Sequence, residues 1–227
     1  MQFFKDIIRI FFPNVCVNCG DELIKQENSL CLKCLAELPI THFIACPDNP
    51  VEKAFYGRIP IHFAAAYLYY HPKGLSQKLI YALKYKGKQA IGELIAAQVL
   101  VQLNTCSRFP SIDAIIPVPL HPKKMRDRGY NQLTTFGQGL AVGLETKFDP
   151  SVLKRTSITE TQTKKKRLER FKNVTERFVA DPNKLSAYQH LLLIDDVMTT
   201  GATLEACALA LLTSEVKISI LTMAFTE

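Results

Sequence analysis

Residues 191–203 read LLLIDDVMTTGAT, and this stretch decides the fold. Four apolar residues lead into the carboxylates Asp195 and Asp196, and three threonines, a glycine and an alanine lie between these acids and the start of a helical pattern. The apolar run predicts a strand that is buried on both faces, as in a parallel sheet. The threonine hydroxyls and the backbone N–H groups that follow the acids predict a phosphate-binding site, the phosphate cradle, where the next helix starts.

The two carboxylates beside this cradle need their own explanation, because an anion next to a phosphate is repulsive. They are favourable only where they meet hydroxyl donors or a metal on the same ligand. A ribose 5-phosphate carries a phosphate on one side and a cis-diol on the other, so it satisfies both demands. An ordinary buried strand that ends in a solvated turn is the alternative. A Walker B strand is excluded because the sequence has no GxxxxGK[ST] loop, and it has no GxGxxG either.

The same segment closely resembles the signature of the type I phosphoribosyltransferases, which bind phosphoribosyl pyrophosphate (PRPP). The resemblance implies that Asp195 and Asp196 meet the ribose 2- and 3-hydroxyls and that the run from Thr199 to Thr203 holds the 5-phosphate. The PRPP-binding residues that it implies are Asp195, Asp196, Val197, Met198, Thr199, Thr200, Gly201, Ala202 and Thr203.

Length and composition limit the architecture. The chain has 227 residues, of which 48% are hydrophobic, so it has room for one α/β domain and a small accessory unit. No apolar run reaches the ~18 residues of a membrane span.

Residues 1–12 predict a short amphipathic helix that docks on the protein body or on a partner, with membrane-surface docking as the alternative. No secretory signal is recognisable, so we expect a cytoplasmic protein.

The net charge of +7 is concentrated in two segments. Residues 154–173 contain eight basic and two acidic residues, and residues 121–130 contain four basic residues and one acidic residue. Concentrated basic loops attract a polyanion. The charge pattern therefore leaves two ligands open, the pyrophosphate of PRPP and the backbone of a nucleic acid.

Four cysteines near the start of the chain form two CxxC pairs, Cys16 with Cys19 and Cys31 with Cys34. Two such pairs can close one tetrahedral site, and Zn²⁺ is the natural ion for four thiolates. A segment of about forty residues cannot bury enough surface to fold alone, whereas a structural zinc can hold it. Redox switching or disulfides are the alternative, which a reducing compartment disfavours.

Alternating strand and helix patterns predict an α/β fold with a mostly parallel sheet and helices on both faces. We expect three parts: residues 1–46 as the N-terminal helix and four-cysteine zinc module, residues 47–60 as a linker rich in Pro and Gly, and residues 61–227 as the phosphoribosyltransferase-like domain. The basic loop after strand 114–116 and the loop after strand 191–194 leave the same sheet edge. Ligands of such sheets bind there, so the two loops should converge.

Five blocks in order carry a wider resemblance: CVNC…CLKC, LKYKG, IIPVPLHPKKMRDRGYNQ, LKRT…TQ…RLERFKNV…F and LLLIDDVMTTGATL. Together they resemble the ComF family of competence-associated phosphoribosyltransferase-like proteins. The resemblance implies a type I phosphoribosyltransferase fold behind a zinc ribbon, and a cytosolic role with incoming single-stranded DNA. Competence or helicase-type protein partners are left open. Met198 stands where a leucine is usual, and Ser214–Glu215 replaces a common glycine.

The resemblance also assigns roles to the basic segments. The loop from Leu120 to Gln132 takes the place of the pyrophosphate loop, with Lys123, Lys124, Arg126 and Arg128 as its cations and His121 as either a ligand contact or a structural residue. The flexible loop that closes over substrate corresponds to Arg155–Asn173, with Arg155, Gln162, Arg167, Arg170 and Asn173 as its candidate residues. The DNA-binding candidates are Lys164, Lys165 and Lys166, for which a solvated helix face is the alternative.

The sequence supports two main functional hypotheses. The first is a protein that binds PRPP or a related sugar phosphate and handles single-stranded DNA in natural competence. The alternative is an active PRPP-dependent glycosyltransferase with an unknown acceptor, in which Mg²⁺ bridges the pyrophosphate and the diol. A regulator that senses PRPP is a third option. The sequence favours binding over turnover, because neither a general base for a nucleophile nor a nucleobase pocket can be named from it.

Overall fold

The computed structural model describes residues 13–156, 177–212 and 215–227. Its central sheet has five strands in the order β1 (Phe63–Tyr69), β7 (Lys217–Phe225), β6 (His190–Met198), β2 (Ala114–Pro117) and β3 (Lys147–Phe148). Every neighbouring pair in this sheet is parallel. The mostly parallel sheet predicted from the sequence is therefore confirmed.

The helices of the described part alternate with these strands. They are α1 (Leu32–Ala36), α2 (Pro50–Lys53), α3 (Leu75–Tyr85), α4 (Ala90–Leu103), α5 (Pro122–Arg128), α6 (Thr134–Gly143), α7 (Pro182–Leu185) and α8 (Ala202–Leu211). An antiparallel pair of strands, β4 (Leu153–Thr156) and β5 (Arg177–Ala180), packs against α8. None of these helices is long and apolar enough to cross a membrane.

The middle of the sheet is covered on both faces. Consecutive side chains of a strand point to opposite faces, and all five residues from His190 to Ile194 in β6 are buried. All four residues of β2 are buried as well. The apolar LLLI run therefore occupies the doubly covered centre that its composition predicts.

Strand β6 is longer than its apolar run. It continues through both carboxylates to Met198, because β7 extends beside it and pairs Asp195 with Thr222 and Met198 with Phe225. The two acids therefore lie within the last part of the ladder, at the carboxyl edge of the sheet. Adjacent strand residues point in opposite directions, so the two side chains reach different neighbours.

Residues 47–60, which we expected to form a linker, pack closely against the core. Val51 and Phe55 are fully buried against the core. Asn49 fixes the segment, because its Oδ1 accepts from the N–H groups of Val51 and Glu52 and its Nδ2 donates to the carbonyl of Ala64 at 2.8 Å. The proline and glycine content indicated a turn-rich segment, but the apolar side chains four residues apart anchor it. The domain boundaries themselves stay a prediction.

The basic stretch after β2 is also more ordered than a loop. It forms α5, which begins with Pro122 at its first position and ends at Gly129 in the left-handed conformation (φ 76°). Proline fits the first turn of a helix and glycine fits the residue beyond it. The four basic side chains are thus carried by a short helix at the mouth of the carboxyl edge.

The four-cysteine module packs on the outside strand of the sheet. Residues 13–46 reach β1 through backbone hydrogen bonds from Thr41 N to Tyr67 O at 2.9 Å and from Tyr69 N to Pro39 O at 2.8 Å. The predicted amphipathic helix of residues 1–12 lies outside the described residues.

Candidate functional site

Asp196 is the fixed carboxylate of the site. It is 5% exposed, and its Oδ1 accepts from Lys84 Nζ at 2.7 Å. Its Oδ2 accepts from the side-chain amide of Gln132, whose own Oε1 accepts from Arg128 at 2.6 Å. A buried carboxylate is stable only when it is paired and hydrogen-bonded, and these contacts provide both. The Asp196 side chain is therefore fixed in place by α3 and by the segment that leads into α6.

Asp195 has the opposite character. Burial, together with the neighbouring carboxylate of Asp196, raises the pKa of Asp195 to about 8. The N–H of Asp196, which donates to Asp195 Oδ1 at 2.8 Å, opposes this shift, as do the charges of Lys84 and Arg155. Asp195 is half-buried and opens onto a cavity. It therefore binds a proton more tightly than an ordinary aspartate, and hydroxyl donors or cations of a ligand would favour its carboxylate form.

The turn after the carboxylates forms a small concave site at the N-terminus of α8. A cavity of about 40 Å³ is lined by Asp195 and by every residue from Val197 to Leu204. Gly201 takes a positive φ of 76°, and a Cβ at this position would lie 3.0 Å from Met198 and 3.1 Å from the Phe55 ring. The helix N-terminus favours an anion in front of it.

Arg58 secures this turn from the side. Its guanidinium donates to the carbonyl of Thr200 at 3.1 Å and forms an ion pair with Glu205 in the first turn of α8. The cradle is therefore bound to the segment around α2, whose Phe55 lies beneath Gly201. Thr199 and Thr200 remain exposed, so their hydroxyls are accessible to a ligand.

A larger cavity joins the acids to the basic elements. Its volume is about 320 Å³, and both carboxylates open onto it. The other residues that line it are Lys84, Val118, Pro119, Leu120, Lys124, Arg128, Gln132, Arg155 and Thr203. The loops after β2 and β6 thus converge at one edge, and strand β4 contributes Arg155 from a third side. This arrangement can neutralise a multiply charged anion and present acceptors to a diol at the same time.

The remaining predicted residues divide into three groups. Lys123 and Arg126 are exposed on α5 and do not line the cavity. His121 caps α5, where its Nδ1 accepts from Lys123 N at 3.2 Å, and its role as a ligand contact stays a prediction. The predicted flexible-loop and DNA-binding residues other than Arg155 lie outside the described residues: Gln162, Lys164, Lys165, Lys166, Arg167, Arg170 and Asn173.

Sequence reasoning missed Lys84, Gln132 and Arg58. Lys84 sits in the LKYKG block and Gln132 ends the basic block, so both lay within segments that carried the resemblance. Their partner Asp196 is distant in the sequence, and pattern alone could not connect them. Arg58 had no signal, because it lies in the stretch that composition indicated as a linker.

A larger cavity lies elsewhere in the described part. It measures about 680 Å³ and is lined by residues at the opposite end of the strands, among them Asp113, His190 and Lys217. Ligands of open parallel sheets bind beyond the carboxyl ends of the strands. The smaller cavity at the carboxyl edge is therefore the better candidate site.

A second candidate site is the four-cysteine cluster. The sulfurs of Cys16, Cys19, Cys31 and Cys34 all lie within 4.8 Å of one another, and Cys19 Sγ is 3.7 Å from Cys31 Sγ. Tetrahedral zinc with Zn–S bonds of about 2.3 Å requires sulfurs about 3.8 Å apart. The group can therefore hold a structural metal ion such as zinc.

The four thiols are close enough to shift one another's pKa values in opposite directions: the pKa of Cys19 and of Cys34 is raised, whereas that of Cys16 is lowered. Burial alone would raise the pKa of the Cys16 thiol, but backbone hydrogen bonds from Cys19, Cys31 and Asn18 lower it to about 6. The side-chain amide of Asn18 donates to Cys34 Sγ at 3.2 Å. Thiolate is the form that binds a metal, and hydrogen bonds from outside the ligand set stabilise it.

Comparison with curated proteins finds relatives along most of the chain. Competence protein F of Haemophilus influenzae is 28% identical over 207 residues, which cover 86% of this chain and 89% of that protein. The DNA utilization protein YhgH of Salmonella typhi is 27% identical over 201 residues, covering 87% of this chain and 84% of the relative. The YhgH protein of Escherichia coli K12 is 26% identical over the same length.

The chain is a homologue of these competence and DNA utilization proteins. The resemblance that the five sequence blocks carry is thereby confirmed. No protein-family model matches the chain.

Solved structures show weaker likenesses. A crystal structure of adenine phosphoribosyltransferase aligns with 65% of this chain at 16% identity and a TM-score of 0.37. The adenine phosphoribosyltransferase of Leishmania tarentolae aligns with 60% of this chain at 14% identity and a TM-score of 0.33. These scores are too low to assign a fold, which rests on the strand order and the cavity instead.

Proposed function

We propose that this chain binds PRPP or a related sugar phosphate at the carboxyl edge of its sheet and acts in natural competence, in the uptake or handling of incoming single-stranded DNA. One observation carries the ligand assignment. Asp195 and Asp196 open onto the same cavity as Lys124, Arg128 and Arg155, directly beside the N-terminus of α8. The names of the curated homologues support the DNA role.

Each part of PRPP has a matching group. The ribose hydroxyls would donate to the two carboxylates, and the 5-phosphate would meet the amides and hydroxyls between Thr199 and Thr203. The pyrophosphate would face Lys124, Arg128 and Arg155 together with a Mg²⁺ ion brought by the ligand. Charge-assisted hydrogen bonds of this kind are roughly twice as strong as neutral ones. The other predicted cations on residues 157–173 would close over the bound ligand.

Calorimetric titration of PRPP with Mg²⁺ tests this assignment. The wild-type chain should bind, and Asp195→Asn should reduce affinity at least about tenfold, because an amide cannot accept from both diol hydroxyls as a carboxylate does. Asp181→Asn is the matched control. Asp181 caps α7 by accepting from Asn183 N at 3.1 Å, outside the cavity, and asparagine caps helices equally well. Absence of heat in the wild-type titration would refute PRPP as the ligand.

The DNA part is tested separately by binding of a labelled single strand. Affinity should fall steeply with salt, since phosphate contacts release counterions. Replacement of Lys164, Lys165 and Lys166 by alanine should reduce both affinity and the salt slope if these residues contact DNA. We place this role in the cytoplasm, where thiols stay reduced, with competence or helicase-type proteins as candidate partners.

Turnover is the second candidate function. A cavity of about 310 Å³ next to the site has two tyrosines among its lining residues, Tyr85 and Tyr130, and so offers room for an acceptor. A glycosyltransferase would release pyrophosphate from PRPP when its acceptor is present. An assay for pyrophosphate release with a panel of nucleobases as acceptors would establish this activity.

A further inference from the structure

Two exposed tyrosines lie side by side on α3. Tyr81 and Tyr85 are 53% and 62% exposed, and their ring centroids are 5.1 Å apart with planes inclined by 44°. One turn of helix separates them, so both lie on the outer face, while Leu79, Ile80 and Leu83 are buried on the inner face. Two adjacent exposed rings offer flat aromatic surface on which another planar group can stack.

Cations stand over both rings. Lys86 Nζ lies 5.8 Å from the centroid of Tyr81, and the guanidinium carbon of Arg128 lies 4.9 Å from that of Tyr85. Residues 78–88 contain four lysines and no acidic residue. The neighbouring α5 adds exposed Lys123, Lys124 and Arg126 against the single acid Asp127. The rings are therefore surrounded by positive charge.

The tyrosine face continues into the proposed PRPP site. A cavity of about 310 Å³ lies between α3 and α5, and it is lined by Lys84, Tyr85, Gly87, Lys124, Asp127, Arg128 and Tyr130. Lys84, Lys124 and Arg128 line both this cavity and the one that holds the two carboxylates. A ligand that lies on the rings therefore approaches the same cations that a pyrophosphate would use.

We propose that the Tyr81–Tyr85 face of α3 is the stacking platform for single-stranded DNA, and that the strand runs from it over Arg128 to the mouth of the PRPP cavity. The proposal rests on the proposed function in taking single-stranded DNA as the ligand. Bases stack on the two rings, and phosphates meet Lys86, Lys88 and the cations of α5. Because Lys124 and Arg128 serve both ligands, PRPP and the strand compete.

Charge and shape select this occupant. A duplex hides its bases, so the rings would gain no stacking from it. A second copy of the chain, docked through the same face, would bring two clusters of lysines together, and such like-charge contacts oppose association. A single strand supplies the aromatic surface and the negative charge together.

Fluorescence anisotropy with a labelled oligothymidine of about 15 nucleotides tests the platform on the full, metal-containing chain. Tyr81→Ala with Tyr85→Ala should weaken binding about 100-fold, or about tenfold for each ring. Tyr81→Phe with Tyr85→Phe should retain the wild-type affinity, because stacking needs the ring and not the hydroxyl. Tyr56→Ala is the matched control, since Tyr56 is 54% exposed but contacts the acidic Asp48.

The outcomes separate this inference from the proposed function. A wild-type chain that does not bind the strand would overturn both. A wild-type chain that binds, with the double alanine variant within about twofold of it, would overturn the platform alone. Saturating PRPP with Mg²⁺ should lower the affinity for the strand several-fold, and unchanged affinity would overturn the competition. A dimer that dissociates in the alanine variant would assign the face to a second copy instead.

Discussion

Lys84 Nζ lies 2.7 Å from Oδ1 of Asp196, although the two residues are 112 positions apart in the chain. The contact joins α3 to the last part of β6, and Gln132 completes it from the segment before α6. Three parts of the chain therefore meet at one carboxylate. The position of the Asp196 side chain, and with it the orientation of the acid pair, depends on this contact.

Lys84→Met should lower the free energy of unfolding by about 2 kcal/mol, because it leaves a carboxylate that is 8% exposed in its side chain without a cation. Asp196→Asn in the same chain should recover part of this loss, since the uncompensated charge is then gone. Urea denaturation of the single and double variants measures the coupling. Lys86→Met, at an exposed position on the same segment, is the control. Additive losses in the double variant would contradict the pairing.

The sequence predicted the sheet well because its central strands are marked by composition alone. Continuous apolar runs such as LLLI and AII are typical of strands that are buried on both faces of a sheet. Strands β6 and β2 contain these runs, and the residues of the runs are buried. Proline and glycine content led us to expect a linker at residues 47–60, and it did not reveal that Val51 and Phe55 are buried in the core. The basic segment was recognised, but its helical form depends on the capping by His121 and Gly129.

The residues of the candidate site also fall into those that the local sequence predicts and those that depend on long-range contacts. The candidate residues from Asp195 to Thr203 share one segment, so the motif alone was enough to predict them. Lys84, Gln132 and Arg58 act through long-range contacts, and the distance between their segments in the sequence concealed them. Local pattern predicts which groups reach the carboxyl edge, whereas the partners that set their charge are decided by tertiary packing.

Gly201→Ala should lower the free energy of unfolding by about 2 kcal/mol or more and weaken PRPP binding. The positive φ of 76° disfavours any side chain, and the new Cβ would lie 3.0 Å from Met198 and 3.1 Å from Phe55. Gly57→Ala separates the two effects, because Gly57 has a φ of 71° with nothing within 4 Å of its Cβ position. Chemical denaturation compares them, and equal losses would contradict the close packing beneath the cradle.

Cys19→Ser should remove bound metal and loosen residues 13–46, because three thiolates cannot complete the four-sulfur site. Atomic absorption should find about one zinc per wild-type chain and much less in the variant. Hydrogen exchange should then show lost protection in this module before the sheet is affected. Cys46→Ser is the matched control, since Cys46 is exposed and outside the cluster. Reduced wild-type protein without zinc would contradict the metal assignment.

The pKa of Asp195 predicts a pH dependence of stability. The folded chain raises it from 3.8 to about 8 and so binds the proton more tightly than the unfolded chain. The contribution of this carboxyl to stability is therefore full below about pH 4 and is lost as the pH rises through about 8.

In the Asp195→Asn variant the side chain cannot ionise, so the variant lacks this contribution to the pH dependence of stability. The melting temperature of the wild type should therefore fall relative to that of the variant by on the order of a few °C between pH 5 and pH 9. Differential scanning calorimetry of both proteins at each pH cancels the titration of all other groups. A constant difference in melting temperature across this range would show that Asp195 titrates normally in the folded chain, and that burial beside Asp196 does not hold its proton.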